Sequence, residues 1–308
     1  MSRFVVSVVV PVYNAVSYVR DAVESAVHLP EVGEILLVDD GYPDGALEVC
    51  RQLEKEYDKV KVLQHLNGEN RGAGASRNLG VRNAKYPFIS FLDADDYYLE
   101  NRFTDTKLIF ESDNTIDGVY APVGTRLAPG ANPVFRQYTT REQIENHVSF
   151  TKRTIEPDAL FSSLLRGKEG SFHTNGIVLR RELLNKTGLF NERLRLHQDY
   201  ELWLRCAYHG KLVGVKSAAP VAIRVVHNEN RIHSINLKSR SIYYEEVFRY
   251  FSHRKISIKD RWFLIVQFAM CHPDRKHISA NPVSKYTELL ALILKVSLAA
   301  VFKRQPED

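Results

Sequence analysis

The sequence predicts an α/β fold: a doubly wound, mostly parallel sheet flanked by helices, with a helical extension at the C-terminal end. Three observations carry this prediction. Short, largely apolar runs rich in β-branched residues recur through the first hundred positions, at Val5–Val10, Glu34–Val38, Val60–His65 and Phe88–Leu92, as strands buried on both faces do. Segments of helical periodicity separate them, and strand–helix alternation at these lengths builds right-handed parallel units. The first, second and fourth runs end in polar or acidic turns, and the carboxyl ends of such strands are where open α/β sheets bind ligands.

Taken in order, the first strand is ended by Pro11, and Pro11-Val12-Tyr13-Asn14 reads as a turn. Tyr18, Ala22, Val23, Ala26 and Val27 then fall at helical spacing, with Asp21 and Glu24 outward. The second strand closes on Asp39-Asp40-Gly41, and a helix from about Ala46 to Tyr57 follows. After the third strand a glycine-rich turn, Asn70-Arg71-Gly72-Ala73-Gly74, leads into a helix from about Ala75 to Ala84. Beyond about residue 116, Pro122, Pro129, Gly130 and Pro133 break the chain into loops and short strands. Helices are expected near Pro157–Leu165, Arg181–Lys186 and Gln198–Tyr208, with a strand near Ile177–Leu179. From about Lys238 onward the pattern is three helices, broken near Ser252 and Pro273. The organisation expected is one domain in two halves, 1–115 and 116–236, followed by the extension 237–308.

Bulk properties narrow the class. A chain of 308 residues holds one large domain or two modest ones. Hydrophobic residues at 44% and charged residues at 26% are those of a water-soluble globular protein. No uninterrupted apolar segment reaches the ~20 residues of a spanning helix, and the first strand-like run is too short for a signal peptide and lacks a small-residue cleavage site. Cys50, Cys206 and Cys271 show no C-x-x-C spacing, so a reduced, cytoplasmic protein with buried free thiols is expected. The net charge of +5 is concentrated in the tail: from Arg249 to Asp308 eleven Lys/Arg face five Asp/Glu. The body is close to neutral, and no nucleic-acid partner is expected.

The fourth strand delivers Asp93-Ala94-Asp95-Asp96, three carboxylates within four residues. Like charges that close resist ionising unless something positive sits between them. A divalent cation is one such partner, since Mg²⁺ and Mn²⁺ take oxygen ligands and Mg²⁺ commonly pairs one or two carboxylates with substrate phosphates. The alternative is that Asp95 or Asp96 caps a following helix. A dinucleotide-binding site is excluded, because Pro-Val-Tyr-Asn, not G-x-G-x-x-G, follows the first strand. The Walker lysine motif is also absent.

Four stretches together resemble a known family. Val9-Val10-Pro11-Val12-Tyr13-Asn14, Val38-Asp39-Asp40-Gly41, Ala75-Ser76-Arg77-Asn78-Leu79-Gly80 and Phe91-Leu92-Asp93-Ala94-Asp95-Asp96 are similar, in order and spacing, to the signatures of family 2 glycosyltransferases. These are inverting enzymes of the GT-A fold that use nucleotide-sugar donors. Gly188-Leu189-Phe190-Asn191-Glu192, followed by Gln198-Asp199-Tyr200-Glu201-Leu202-Trp203, extends the likeness to about residue 215. The resemblance makes 1–115 the nucleotide-sugar-binding half and 116–236 the acceptor-binding half. It implies that Pro11, Tyr13 and Asn14 flank the base and that Asp40, or Asp39, accepts from the base N–H. Arg77 and Gly72–Ser76 would lie near the diphosphate and sugar, Asp93 with Ala94 near the ribose or sugar, and Asp95 on the metal, Mn²⁺ or Mg²⁺. Two departures stand out: Gln198 where an acid is usual, and Tyr42-Pro43 where Ser-Thr is usual. The Q-x-x-R-W signature of processive synthases is missing, which favours single-sugar transfer.

Asp199 is the general base that the resemblance implies. Independently, Asp199, Leu202, Trp203 and Cys206 share one helical stripe, so a carboxylate starts an apolar face. Displacement at the anomeric carbon needs one base opposite the leaving diphosphate; the competing role for Asp199 is an acid complementing the helix dipole. His173 and Asn175, near the acceptor in the resemblance, and Arg224, His227, Arg231 and His233 after the last strand, form a candidate diphosphate or acceptor loop. A surface histidine or a solvated loop are the plainer readings of those positions. The stretch Leu289–Phe302, apolar except Lys295 and Ser297, fits either a peripheral contact with an anionic membrane face or a helix packed on protein, including a second copy. The expected activity is sugar transfer to a glycan or lipid-linked acceptor. The rivals are a sugar nucleotidyltransferase, which would want a glycine-rich loop where Pro11 stands, and a non-catalytic sugar or nucleotide binder.

Overall fold

The computed structural model describes residues 3–131, 140–151, 154–228 and 237–271. In chain order it forms β1 (Val6–Val12), α1 (Val19–Val27), β2 (Val32–Asp39), α2 (Ala46–Glu56), β3 (Val60–Gln64), α3 (Ala73–Asn83) and β4 (Phe88–Phe91). Then come β5 (Tyr97–Tyr98), α4 (Thr104–Ser112), β6 (Gly118–Tyr120), β7 (Val123–Leu127), α5 (Arg141–Glu145), β8 (Val148–Ser149) and α6 (Pro157–Arg166). The remainder is β9 (Ile177–Arg180), α7 (Arg181–Thr187), α8 (Gln198–His209), β10 (Leu212–Gly214), β11 (Ala222–Val226), α9 (Leu237–Phe251) and α10 (Ile258–Cys271).

The main sheet has the order β10-β6-β9-β4-β1-β2-β3 and is parallel except at β9, which runs antiparallel to both β4 and β6. Its centre is β1, parallel to β2 on one side and β4 on the other. Val6, Val8, Val9, Val10 and Val12 are wholly buried, each contributing roughly 1.5–3 kcal/mol of apolar burial. Pro11 does not end this strand, as the sequence suggested; it continues it, in register with Val38. The reason is local. Pairing with β4 stops at Val9–Phe91, so from Pro11 onward that side of β1 is an edge, where proline's missing N–H leaves no ladder bond unmade. A smaller sheet, β5-β11-β7-β8, gathers four of the short strands beyond residue 96.

α3 departs from the usual amphipathic pattern. Gly74, Ala75, Ser76, Arg77, Asn78, Gly80 and Val81 are all buried, and Gly80 lies so close to β1 that an added Cβ would stand 2.3 Å from a methyl of Val9. Asn78 is inward for hydrogen bonding: it accepts from Phe190 N at 2.8 Å and donates to Phe190 O at 2.9 Å and Glu192 at 3.0 Å. Behind β4, Arg102 is fully buried. It donates to Ser90 Oγ at 2.8 Å and Ile177 O at 3.0 Å and lies over the rings of Tyr98 and Phe103. Desolvation lowers its pKa from the usual guanidinium value.

The chain divides into two compact units, residues 1–193 with 202–233, and residues 194–201 with 234–308. In the second, α9 and α10 pack through Phe248 and Phe268, whose rings stack at 4.8 Å, around buried Ala269. Ser257 caps α10: its hydroxyl accepts from Asp260 N at 3.1 Å and donates to the Asp260 carboxylate at 2.6 Å. The break expected near Ser252 is the turn between these helices, whereas Pro273 and Leu289–Phe302 lie outside the described residues.

Gly80→Ala tests the α3–β1 approach. Alanine gains up to about 1 kcal/mol in helix propensity, but overpacking against a fixed strand costs about 1–3 kcal/mol or more. A net loss is expected, read as a lower urea midpoint. In combination with Val9→Ala the loss should be smaller than the sum of the two single losses.

Candidate active site

Because β4, β1 and β2 are adjacent and parallel, the turns that follow them share one edge of the sheet. This brings Pro11, Tyr13, Asn14, Asp39, Asp40, Asp93 and Asp95 to a common side, as the strand-end argument requires. Tyr13 and Tyr42, each about one-third exposed, lie with ring centroids 4.6 Å apart. The Tyr42 departure therefore lies against one of the candidate site residues. Asn14 takes a left-handed conformation (φ 50°).

Asp40 is buried and already engaged. Its carboxylate accepts from Arg71 N at 2.8 Å, Gly72 N at 2.9 Å and Asn70 Nδ2 at 3.2 Å, with His65 Nε2 3.6 Å away. One side chain thus shapes the glycine-rich turn that enters α3. Gly41 is required by approach as well as by φ (+69°), since a Cβ there would lie 2.2 Å from Gly68 O. Asp39 accepts from Gln64 Nε2 at 3.1 Å. Burial, and then the charge of Asp39, push the Cys50 thiol up to about 12, which makes it inert at neutral pH.

The D-x-D turn is held from four directions. Arg77, buried on α3, reaches Asp93 Oδ1 at 2.5 Å. Asn175, wholly buried, accepts from Asp93 N at 3.0 Å and donates to Asp96 Oδ2 at 2.6 Å. The backbone N–H of Val225 donates to Asp96 Oδ1 at 2.7 Å. His227, just past β11, places Nε2 2.9 Å from Asp95 Oδ2 and stacks on Tyr18 at 5.1 Å. Burial alone would raise the Asp93 carboxyl, but the Arg77 guanidinium, with His173 and Arg224, holds it below the usual range. Asp96 goes the other way: burial, then Asp95 and Asp93, push it well above the ordinary aspartate value. The turn therefore pushes two acids of one type, Asp93 and Asp96, in opposite directions.

The atoms of Asp93, Asp96 and His173 come within 4.8 Å of one another, close enough for one cation. As ligands they fit poorly. Both Asp96 oxygens accept strong hydrogen bonds. His173 Nδ1 accepts from Asn175 N at 3.2 Å, so the neutral ring carries its proton on Nε2. Asp95 with His227 is the alternative set: a partly exposed carboxylate with an imidazole nitrogen 2.9 Å from it, donor types that Mn²⁺ accepts together. His227 had no sequence signal beyond its place after a strand. Ala94 is buried in the core cluster, so it offers the site only its backbone.

Asp199 stands in the second unit, in the first turn of α8. It is half-buried and accepts from Tyr200 N at 2.9 Å. His197 beside it is left-handed (φ 62°). Burial lowers the His197 pKa more than the Asp199 charge raises it. Arg231 and His233 lie outside the described residues. Glu192 ties the turn after α7 to α3, meeting Arg71 at 3.0 Å and Arg82 at 3.7 Å.

The fold and its acid-lined edge define an α/β protein of the GT-A architecture. The chain belongs to glycosyl transferase family 2, whose model matches residues 7–186. It is 28% identical over 206 residues to the succinoglycan biosynthesis protein ExoU of Rhizobium meliloti (strain 1021), covering 67% of this chain and 57% of that one. The match therefore spans little more than half of that relative's length. Among solved structures it is similar to S. aureus TarS 1-349 in complex with UDP-GlcNAc, with a TM-score of 0.63 at 15% identity, covering 95% of this chain and 81% of TarS. A mannosyltransferase, PcManGT from Pyrobaculum calidifontis in complex with GDP-Man and Mn²⁺, matches with a TM-score of 0.56 at 14% identity, covering 97% and 88%. At these identities the solved structures establish the shared fold.

Replacing Asp40 with Ala should leave the N–H groups of Arg71 and Gly72 without their acceptor. A loss of about 3 kcal/mol is expected from hydrogen bonds to a charged group, measured by urea unfolding, with trypsin cleavage after Arg71 rising in parallel as the turn opens.

Proposed function

We propose that this chain is an inverting hexosyltransferase that moves one sugar from a nucleoside-diphosphate sugar to a hydroxyl of a glycan or lipid-linked acceptor. The observation that carries the reading is the D-x-D turn, braced by Arg77 and Asn175 at the same sheet edge as Asp39. Family membership supports the reaction class. The UDP-GlcNAc and GDP-Man held by the two solved neighbours support the donor class, and we take uridine as the base. The biosynthetic role in the name of the Rhizobium relative supports a glycan acceptor. We place the protein in the cytoplasm, at or near the inner membrane face; no helix among the described residues is long and apolar enough to cross a membrane.

In this proposal Pro11, Tyr13 and Asn14 enclose the base and Asp39 accepts from its N–H, while Asp40 holds the turn beside them. Asp93, kept ionised by Arg77, accepts from ribose or sugar hydroxyls, and the backbone at Ala94 borders them. Asp95 with His227 is the set that would hold a divalent cation, which when bound offsets the charge gathering on the departing diphosphate. Asp199 takes the proton of the acceptor hydroxyl as its oxygen bonds to the anomeric carbon. The bond from that carbon to the diphosphate oxygen breaks on the opposite face, and configuration inverts. His173 and Asn175 border the diphosphate and acceptor.

Release of nucleoside diphosphate across a donor panel tests the reading. Asp199→Asn should bind UDP as the wild type does and turn over at least about 100-fold more slowly. Undiminished turnover would remove Asp199 as the base. Calorimetric UDP affinity should fall with EDTA, return with Mn²⁺, and lose that dependence in Asp95→Ala. Tight UDP binding with no transfer to any acceptor would identify a binder instead.

A further inference from the structure

The second unit carries a surface that the proposed reaction does not use. On α10, Ile258 is 88% exposed and Trp262, one helical turn on, is 55% exposed. Residues four apart share a helix face, so these two large apolar side chains form one stripe at the start of the helix. Lys255 and Lys259 flank it and are exposed. The arginines nearby are fixed: Arg254 donates to Tyr250 O, and Arg261 to Ser252 O and Arg254 O, which anchors positive charge at the end of α9. The one acid between Arg254 and Cys271 is Asp260, which is buried and bonded to Ser257. The stripe is thus apolar at its centre and cationic at its margin.

We propose that this face docks on an anionic phospholipid bilayer, with Ile258 and Trp262 entering the boundary between headgroups and acyl chains. Lys255 and Lys259 then meet the lipid phosphates. Indole suits that depth, because its apolar body and N–H are satisfied together at a membrane interface. Basic residues near an anionic surface add to the same attraction. A second copy of the chain is the poorer partner: a two-fold contact through this stripe would bring the lysines of both copies together.

The chain has two tryptophans, and Trp203 is buried, so a change in emission on adding vesicles to the full-length protein reports on Trp262. With phosphatidylcholine vesicles containing phosphatidylglycerol, emission should shift to the blue and be quenched by brominated acyl chains. Pure phosphatidylcholine should produce neither change, and Trp262→Phe should abolish both. Replacing Lys255 and Lys259 with Gln should weaken vesicle partition by roughly fivefold per lysine. Sedimentation with anionic vesicles but no bromolipid quenching would mean that another part of the chain binds, and the proposal would fall. It would fall equally if no vesicle binding occurred. A dimer in light scattering that Ile258→Ser with Trp262→Ser converts to monomer would reassign the face to contact between copies.

Discussion

Three aspartates crowded at the end of one strand set the constraint to which the rest of the first unit answers. Burying Asp93, Asp95 and Asp96 near one another is unfavourable unless each negative charge finds a donor. The compensating groups come from well-separated parts of the chain: Arg77 from α3, Asn175 from the turn before β9, Val225 N from β11 and His227 just after it. That demand explains features that look irregular in isolation. α3 has polar residues on its buried side because Arg77 must reach through to the turn. β9 runs against the direction of its neighbours and is entered through Asn175, which fixes both the backbone and the last acid of the motif. The small sheet ends beside the acids because its central strand supplies one of their donors.

The signature residues of the family divide by what they touch. Asp93 and Asp95 are partly exposed, each paired with a basic side chain. Asp40, Gly41, Asn78 and Gly80 serve the scaffold: an acceptor for a turn, a close backbone passage, a tie to residue 190 and a helix–strand contact. A family pattern is therefore partly a record of packing. Asp40 shows this directly, since its carboxylate accepts from three groups of the turn that enters α3.

What the sequence revealed follows the range of the interactions involved. The strands β1 to β4 of the main sheet were legible because continuous apolar runs reflect burial on both faces, a local signal, whereas the three-residue β6 and β10 carry no such run. The acidic turn was legible for the same reason, being four consecutive residues. Asn175 and His227 were not identifiable as braces, because their partners lie 82 and 132 positions away and one asparagine or histidine has no periodicity. The edges of β5, β7, β8 and β11 were blurred by their shortness. Pro11 misled because its compatibility depends on where the neighbouring strand stops. The contact of the Tyr42 ring with Tyr13 was likewise invisible, because the two lie 29 positions apart on separate turns.

Asn175 is followed by Gly176, and that pair is chemically perishable. In a loose chain the unhindered glycine nitrogen attacks the asparagine side-chain carbonyl and expels its amide nitrogen as ammonia, and water opens the resulting succinimide to aspartate or isoaspartate. Here the reacting groups are held apart in purpose: Gly176 N donates to His173 O at 3.0 Å, and the Asn175 oxygen accepts from Asp93 N. Glycine cannot be exchanged for a slower neighbour, since a Cβ at 176 would stand 2.3 Å from Ala121 O. Storage lifetime is therefore tied to local opening of this turn. Each opening exposes the pair to a reaction whose product sets a new negative charge against Asp96.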